Sequence, residues 1–131
     1  MLILQPEGWA APKGYANGVA AEGRIVVTGG QIGWTGNQVF ETDDFVGQTE
    51  QALKNILAIL AEAGAGPEHV VRLTWFITDK AAYLAGQKPL GAAYRRVMGR
   101  NFPAMSVVVV AGLIEDRAKV EIEATAVLPG I

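Results

Sequence analysis

The chain contains no cysteine and a single histidine, His69. Without cysteine there are no disulfides, no thiolate metal site and no thiol nucleophile, the usual composition of a protein kept in a reducing compartment, so a cytoplasmic location is expected. With one histidine, a His-ligated zinc site has at most one imidazole, and paired acid–base histidines are ruled out. A Ser-His-Asp triad would require that same residue, and no GxSxG elbow accompanies it. His69 lies in GPEHVV, at a loop-to-strand junction, where a solvated loop histidine is the expected role.

Charge of one sign is also lacking. The eleven Lys and Arg are scattered against thirteen Asp and Glu, for a net charge of −2, so the basic stripe of a nucleic-acid-binding surface is missing and no nucleic-acid partner is expected. No window reaches the ~18 uninterrupted apolar residues of a membrane span. The opening MLILQPEGWAAPKGY has neither the basic region nor the apolar length of a signal peptide.

What remains is 131 residues, half of them apolar, which is one domain's worth of sequence spanning 1–131. A chain of this size hides ~65–70% of its unfolded surface and needs no staple. The segment VAAEGRIVVTGGQI reads as a strand, a turn at Glu22-Gly23 and a second strand running into Gly29-Gly30. Asp43 or Asp44 is placed to cap a helix in which Phe45, Thr49, Ala52, Leu53, Ile56, Leu57, Leu60 and Ala63 repeat at helical spacing up to Gly64. Glu50 and Lys54 mark its solvated side. VVRLTWFIT reads as a third strand. Asp79 caps a second helix, through Tyr83, Leu84, Leu90, Ala93, Tyr94 and Val97, which Pro89 kinks or splits. Met105 to Ala111 and Ala118 to Leu128 are the last two strands. In the latter, Val120, Ile122, Ala124 and Ala126 alternate with Glu121, Glu123 and Thr125.

The expected order is β-β-α-β-α-β-β, an α+β fold with two helices packed on one face of a sheet. Two helices cannot cover both faces, and runs such as SVVVVA would leave an apolar surface larger than a monomer normally exposes. Another copy of the chain is the expected cover.

Few residues carry chemistry. TGGQIGWTG lacks the Lys-Ser/Thr of a phosphate loop; its glycines serve either strand packing or the close approach of a ligand to the backbone. Glu121 and Glu123 lie on the polar face of the last strand, where solvation is the ordinary role. In an interface cleft, a carboxyl partly removed from water can instead hold a water molecule and shuttle protons.

Taken together, PKGYANGV, IVVTGGQIG, QTEQALKNILAILAEAGA, VVRLTWFITD, NFPAMSVVVVAGL and KVEIEATAV resemble the reactive-intermediate deaminase family (Rid, also called YjgF-like), in unbroken order from about Tyr15 to Val127. The resemblance implies a chorismate-mutase-like α+β fold assembled as a homotrimer with clefts between subunits. Its deaminating members hydrolyse an enamine or imine to a carbonyl compound and ammonia, with no metal or organic cofactor. Carried over by motif, Tyr15, Gly29 and Gly30 shape the cleft, Val107 offers backbone contacts and Glu121 holds the attacking water.

Met105 departs from that pattern, because the deaminating members have Arg after the Pro-Ala pair, where it grips the substrate carboxylate. Losing a two-pronged charged contact costs roughly 3–5 kcal/mol. Either the substrate has no free carboxylate next to the reacting carbon, which is the preferred reading, or another base such as Arg72 or Arg100 reaches the cleft. Met105 beside Trp34 or Trp75 would suit a flat, apolar ligand. The alternative function is a non-catalytic small-molecule binder or sensor that keeps the trimer cleft.

Overall fold

A computed structural model describes residues 1–130. Strand β1 (Leu2–Leu4) pairs antiparallel with β2 (Gly18–Ala20) in a separate two-stranded ribbon. Strands β3 (Arg24–Val27) and β4 (Gln31–Ile32) follow, then helix α1 (Phe45–Ala61), β5 (Val70–Ile77), helices α2 (Lys80–Ala85) and α3 (Gln87–Met98), and strands β6 (Ala104–Val109) and β7 (Val120–Leu128). The main sheet runs β3-β7-β5-β6, with β4 also paired to β7. Only β5 and β6 are parallel, joined by the crossover through α2 and α3.

The α+β class and the helical layer on one face agree with the sequence reading; three details differ from it. The strand before Glu22-Gly23 does not pair with the strand after it. Gly23 instead carries the chain from the ribbon to the main sheet at φ 144°, so close to β7 that an added Cβ would lie 2.1 Å from the Leu128 carbonyl oxygen. Leu2–Leu4 forms a strand not evident in the sequence, since three apolar residues carry no period and only the partner β2 defines them. The second helix does break in two, but at Gly86 rather than at Pro89. Pro89 falls in the first turn of α3, where its missing N–H would have no helical partner anyway.

The caps act as the sequence predicts. Asp44 is extended and its carboxylate accepts a hydrogen bond from the Gly47 N–H at 2.8 Å; Asp79 accepts from the Ala82 N–H at 3.1 Å. From α1, Leu53, Ile56 and Leu60 are completely buried, and they meet Leu73 and Ile77 of β5, Met98 of α3, and Val120 and Ile122 of β7.

Antiparallel partners share a face, so the register sorts the sheet. Trp75 opposite Ile122 and Leu73 opposite Ala124 face the helices. Phe76 opposite Glu121, Thr74 opposite Glu123 and Arg72 opposite Thr125 face away from them. On that uncovered face β3 adds Ile25 and Val27, 69% and 66% exposed, and β6 adds Val108. Apolar side chains on the open face of a sheet were the basis for expecting another subunit.

Glu50 is more than a solvated partner of Lys54. It accepts from Arg96 at 2.9 and 2.6 Å and lies 3.4 Å from Lys54 Nζ, tying α1 to α3. The Arg96 guanidinium holds the Glu50 carboxyl below its ordinary value of 4.5. A depressed carboxyl pKa stabilises the fold above the unfolded value and loses that contribution as pH falls through the folded one. Glu50→Gln is therefore expected to lower stability by less than ~1 kcal/mol at neutral pH, with variant and wild-type denaturation midpoints converging in acid. Leu53→Ala should cost roughly 2–5 kcal/mol in the same titration.

Candidate functional site

The sequence points to Tyr15, Gly29, Gly30, Met105, Val107 and Glu121, and the register divides these between two faces of the sheet. Met105 is opposite the buried Leu73 and Val107 is opposite Trp75, so both project to the helix side. Glu121, opposite Phe76, projects to the other side. A single copy of the chain therefore cannot bring Met105 and Glu121 into one cleft.

On the helix side a cavity of about 420 Å³ opens between β5, β6 and α3. Tyr15 enters it because the neighbouring backbone is pinned to the start of β6: the Ala16 N–H donates to the Pro103 carbonyl at 2.9 Å and Ala16 bridges to Ala104. Met105, Val107 and Trp75 form its floor. Tyr94 and Phe102 stack in one wall, their ring centroids 5.6 Å apart. The Tyr94 hydroxyl donates to the Asn101 carbonyl, and burial pushes its pKa far above the usual phenol value. Tyr94 is thus a neutral wall at physiological pH.

Two polar features of this cavity were not evident in the sequence. The Trp75 indole N–H is buried and has no hydrogen-bond partner among the described residues. Arg95 lines the rim, where Gly91 one turn earlier leaves it room: a Cβ on Gly91 would stand 3.4 Å from Arg95 Nη1. The alternative bases considered from sequence are elsewhere. Arg72 is exposed on the uncovered face, and Arg100 lines a second cavity beneath the N-terminal ribbon. Of the two tryptophans considered beside Met105, Trp75 shares its cavity, while Trp34 packs on Phe40 at 5.7 Å and accepts from Asn55 through its carbonyl at 2.7 Å. A glycine followed four residues later by arginine on a helix was the available clue to Arg95.

On the uncovered face, Glu121 is half-buried and lies over Gly30. A Cβ at Gly30 would come within 2.3 Å of Glu121 Oε2, so the glycine provides the space its carboxylate occupies. Among the described residues that carboxylate has no hydrogen bond or ion pair from a side chain. Gly29 next to it is exposed with open space around its Cα. Glu123, two residues on, is exposed opposite Thr74.

His69 has a structural role rather than the solvated one expected. Its Nδ1 accepts from the Gly66 N–H at 2.9 Å and closes a short 3₁₀ turn. Accepting that bond leaves Nδ1 no proton to share with Glu68 3.4 Å away, so the approach is not an ion pair. No group of three or more His, Cys, Asp or Glu that could hold a metal ion occurs among the described residues, nor is any helix long and apolar enough to cross a membrane.

Comparisons with known proteins bear on the whole of this architecture. The family model described as Endoribonuclease L-PSP matches residues 7–128. A RutC family protein of Synechocystis is 35% identical, with 98% of each chain covered. A Salmonella typhimurium protein named 2-iminobutanoate/2-iminopropanoate deaminase is also 35% identical, over 86% of each chain. Among solved structures, a Rid-family protein of unknown function from Yersinia pestis superposes with a TM-score of 0.81 at 32% identity, covering 97% of this chain and 98% of that one. The match runs through both faces of the sheet and all the helices, and the chain belongs to the RutC/Rid (YjgF-like) family.

Proposed function

We propose that the protein is an enamine or imine deaminase, converting a reactive C=N or enamine intermediate and water to a carbonyl compound and ammonia at a cleft between subunits of a homotrimer. The observation that carries this reading is the Glu121 carboxylate, half-buried over Gly30 with no side-chain partner of its own. A carboxylate so placed is free to hold water. The named activity of the Salmonella relative belongs to the same chemistry.

The reaction needs little apparatus. Protonation of an enamine at carbon gives an iminium, whose carbon is electrophilic enough for water to add. Glu121 takes a proton from that water as the C–O bond forms, then returns it to the nitrogen of the carbinolamine. As the C–N bond breaks and the C=O bond forms, ammonia leaves and the hydroxyl proton passes to solvent, balancing the proton first taken up at carbon, with no net change in the carboxylate.

A trimer explains the division of the site. Glu121 of one subunit and the Met105 cavity of another can face each other across an interface, whereas in one chain the sheet separates them. The exposed Ile25, Val27 and Val108 give the uncovered face an apolar surface suited to such contact. Met105 cannot bind a carboxylate as Arg would, which supports a substrate with none next to the reacting carbon. RNA cleavage, the activity in the family model's description, is less well supported, because the one histidine is held in a backbone turn.

Three measurements test this reading. Glu121→Gln should slow ammonia release from imines and enamines generated in situ by ~10²–10⁴-fold; unchanged turnover would sink the assignment, and saturable binding without turnover in the wild type would favour the sensor. Gly30→Ala should displace the Glu121 carboxylate in a crystal structure and lower turnover, with unfolding stability altered by less than ~1 kcal/mol. Val27→Glu should shift the sedimentation coefficient to that of a monomer and remove activity while Glu121 is untouched; an active monomer would refute the interface site.

A further inference from the structure

The cavity above Met105 is lined by two cations, Arg95 and Lys13, and by no carboxylate. In a chain of net charge −2 this is a local reversal of sign. Arg95 forms no ion pair among the described residues, unlike its neighbour Arg96, which is engaged by Glu50. Beneath the rim, the Trp75 ring, 3% exposed, forms part of the wall. The volume, about 420 Å³, lies within the roughly 300–1,000 Å³ of small-molecule sites, and the walls are mainly flat rings.

We propose that this cavity takes a flat aromatic or conjugated ligand with a carboxylate remote from its reacting carbon. The carboxylate pairs with Arg95 at the rim. The thioether of Met105 offers a carboxylate nothing, and this is why the anionic group belongs at the rim and the apolar body over Met105 and Val107. The guanidinium then fixes one end of the ligand, leaving its plane free to stack on the tyrosine and phenylalanine walls. The inference names the substrate class for the proposed deaminase, but binding can be read without turnover.

The probe is 4-acetylbenzoate, an aryl ketone with its carboxylate across the ring, compared with acetophenone, which lacks the charge. By calorimetry the wild type should bind 4-acetylbenzoate about ten- to a hundredfold more tightly than acetophenone. In Arg95→Gln, an exposed substitution that leaves the core alone, the two affinities should fall within about threefold of each other. A Lys13→Gln variant should keep most of the preference. Equal affinities in the wild type, no binding of either probe, or an undiminished preference in Arg95→Gln would each overturn the proposal. Failure of the deaminase reading looks different: tight binding of 4-acetylbenzoate with no Glu121-dependent ammonia release sinks that reading and leaves this one standing. Ammonia release from enamines with no preference for the carboxylate does the reverse.

Discussion

Between Val120 and Leu128 successive side chains must leave the strand on opposite faces, because the pleat has a period of two, and β7 has no freedom to average this out. It is gripped on both flanks, by β3 and β4 on one side and by the full length of β5 on the other. Its inward residues are therefore core, and its outward residues are whatever function requires. Val120, Ile122, Ala124 and Ala126 are all buried, while Glu121, Glu123 and Thr125 are left on the face with no helical cover. The same alternation on β5 and β6 carries Trp75, Met105 and Val107 the other way. One pleat thus separates a carboxylate from an aromatic cavity by the thickness of a sheet.

Much of this was legible in the sequence, and the reason is that period and caps are local signals. The alternation of β7, the apolar stripe of α1, and the aspartates at the starts of α1 and α2 each occupy a few consecutive residues whose meaning does not depend on distant partners. The Leu2–Leu4 strand and the separation of β2 from β3 are different in kind. Both are decided by which strand lies alongside, and the sequence of a three-residue strand does not encode its neighbour. The break at Gly86 was displaced toward Pro89 because proline signals a break more loudly, yet proline is harmless in a first turn.

The candidate site was half legible for a related reason. The motifs fixed which residues to consider, but only the register shows that Met105 and Glu121 face apart, since that depends on pairing each strand with its neighbours. Arg72 and Arg100 were natural substitutes for the arginine lost at position 105, one next in register and one close in sequence. Arg95 is neither. It reaches the cavity from above, on a helix whose rotation is set by burying Leu90, Ala93, Tyr94 and Met98. With those four turned inward, the next position along from Tyr94 falls at the edge of the buried face, over Gly91 and the mouth of the cavity.

Beside its ladders, β7 is held in phase by a buried amide on α1. Gln48 is fully buried, and each hydrogen bond of its side chain goes to backbone around the entry to that strand or to the helix. Its Nε2 donates to the carbonyls of Arg117 at 2.9 Å and Thr42 at 3.1 Å, and its Oε1 accepts from the Lys119 N–H at 2.8 Å. Farther along, Thr28 accepts from the Ala124 N–H through its hydroxyl at 3.1 Å and donates its own N–H to the Ala124 carbonyl at 3.0 Å. The strand is thus fixed both just before its first residue and at its middle. A slip of one residue would exchange Glu121 for Ile122, burying a carboxylate among Leu53, Ile56 and Leu73 and exposing four core side chains, and it would break both sets of bonds at once. The register that builds the core is the one that presents Glu121, so the outward carboxylate is protected by the energy of the inward face rather than by any bond of its own. That leaves it unpaired, which is the condition its proposed chemistry needs.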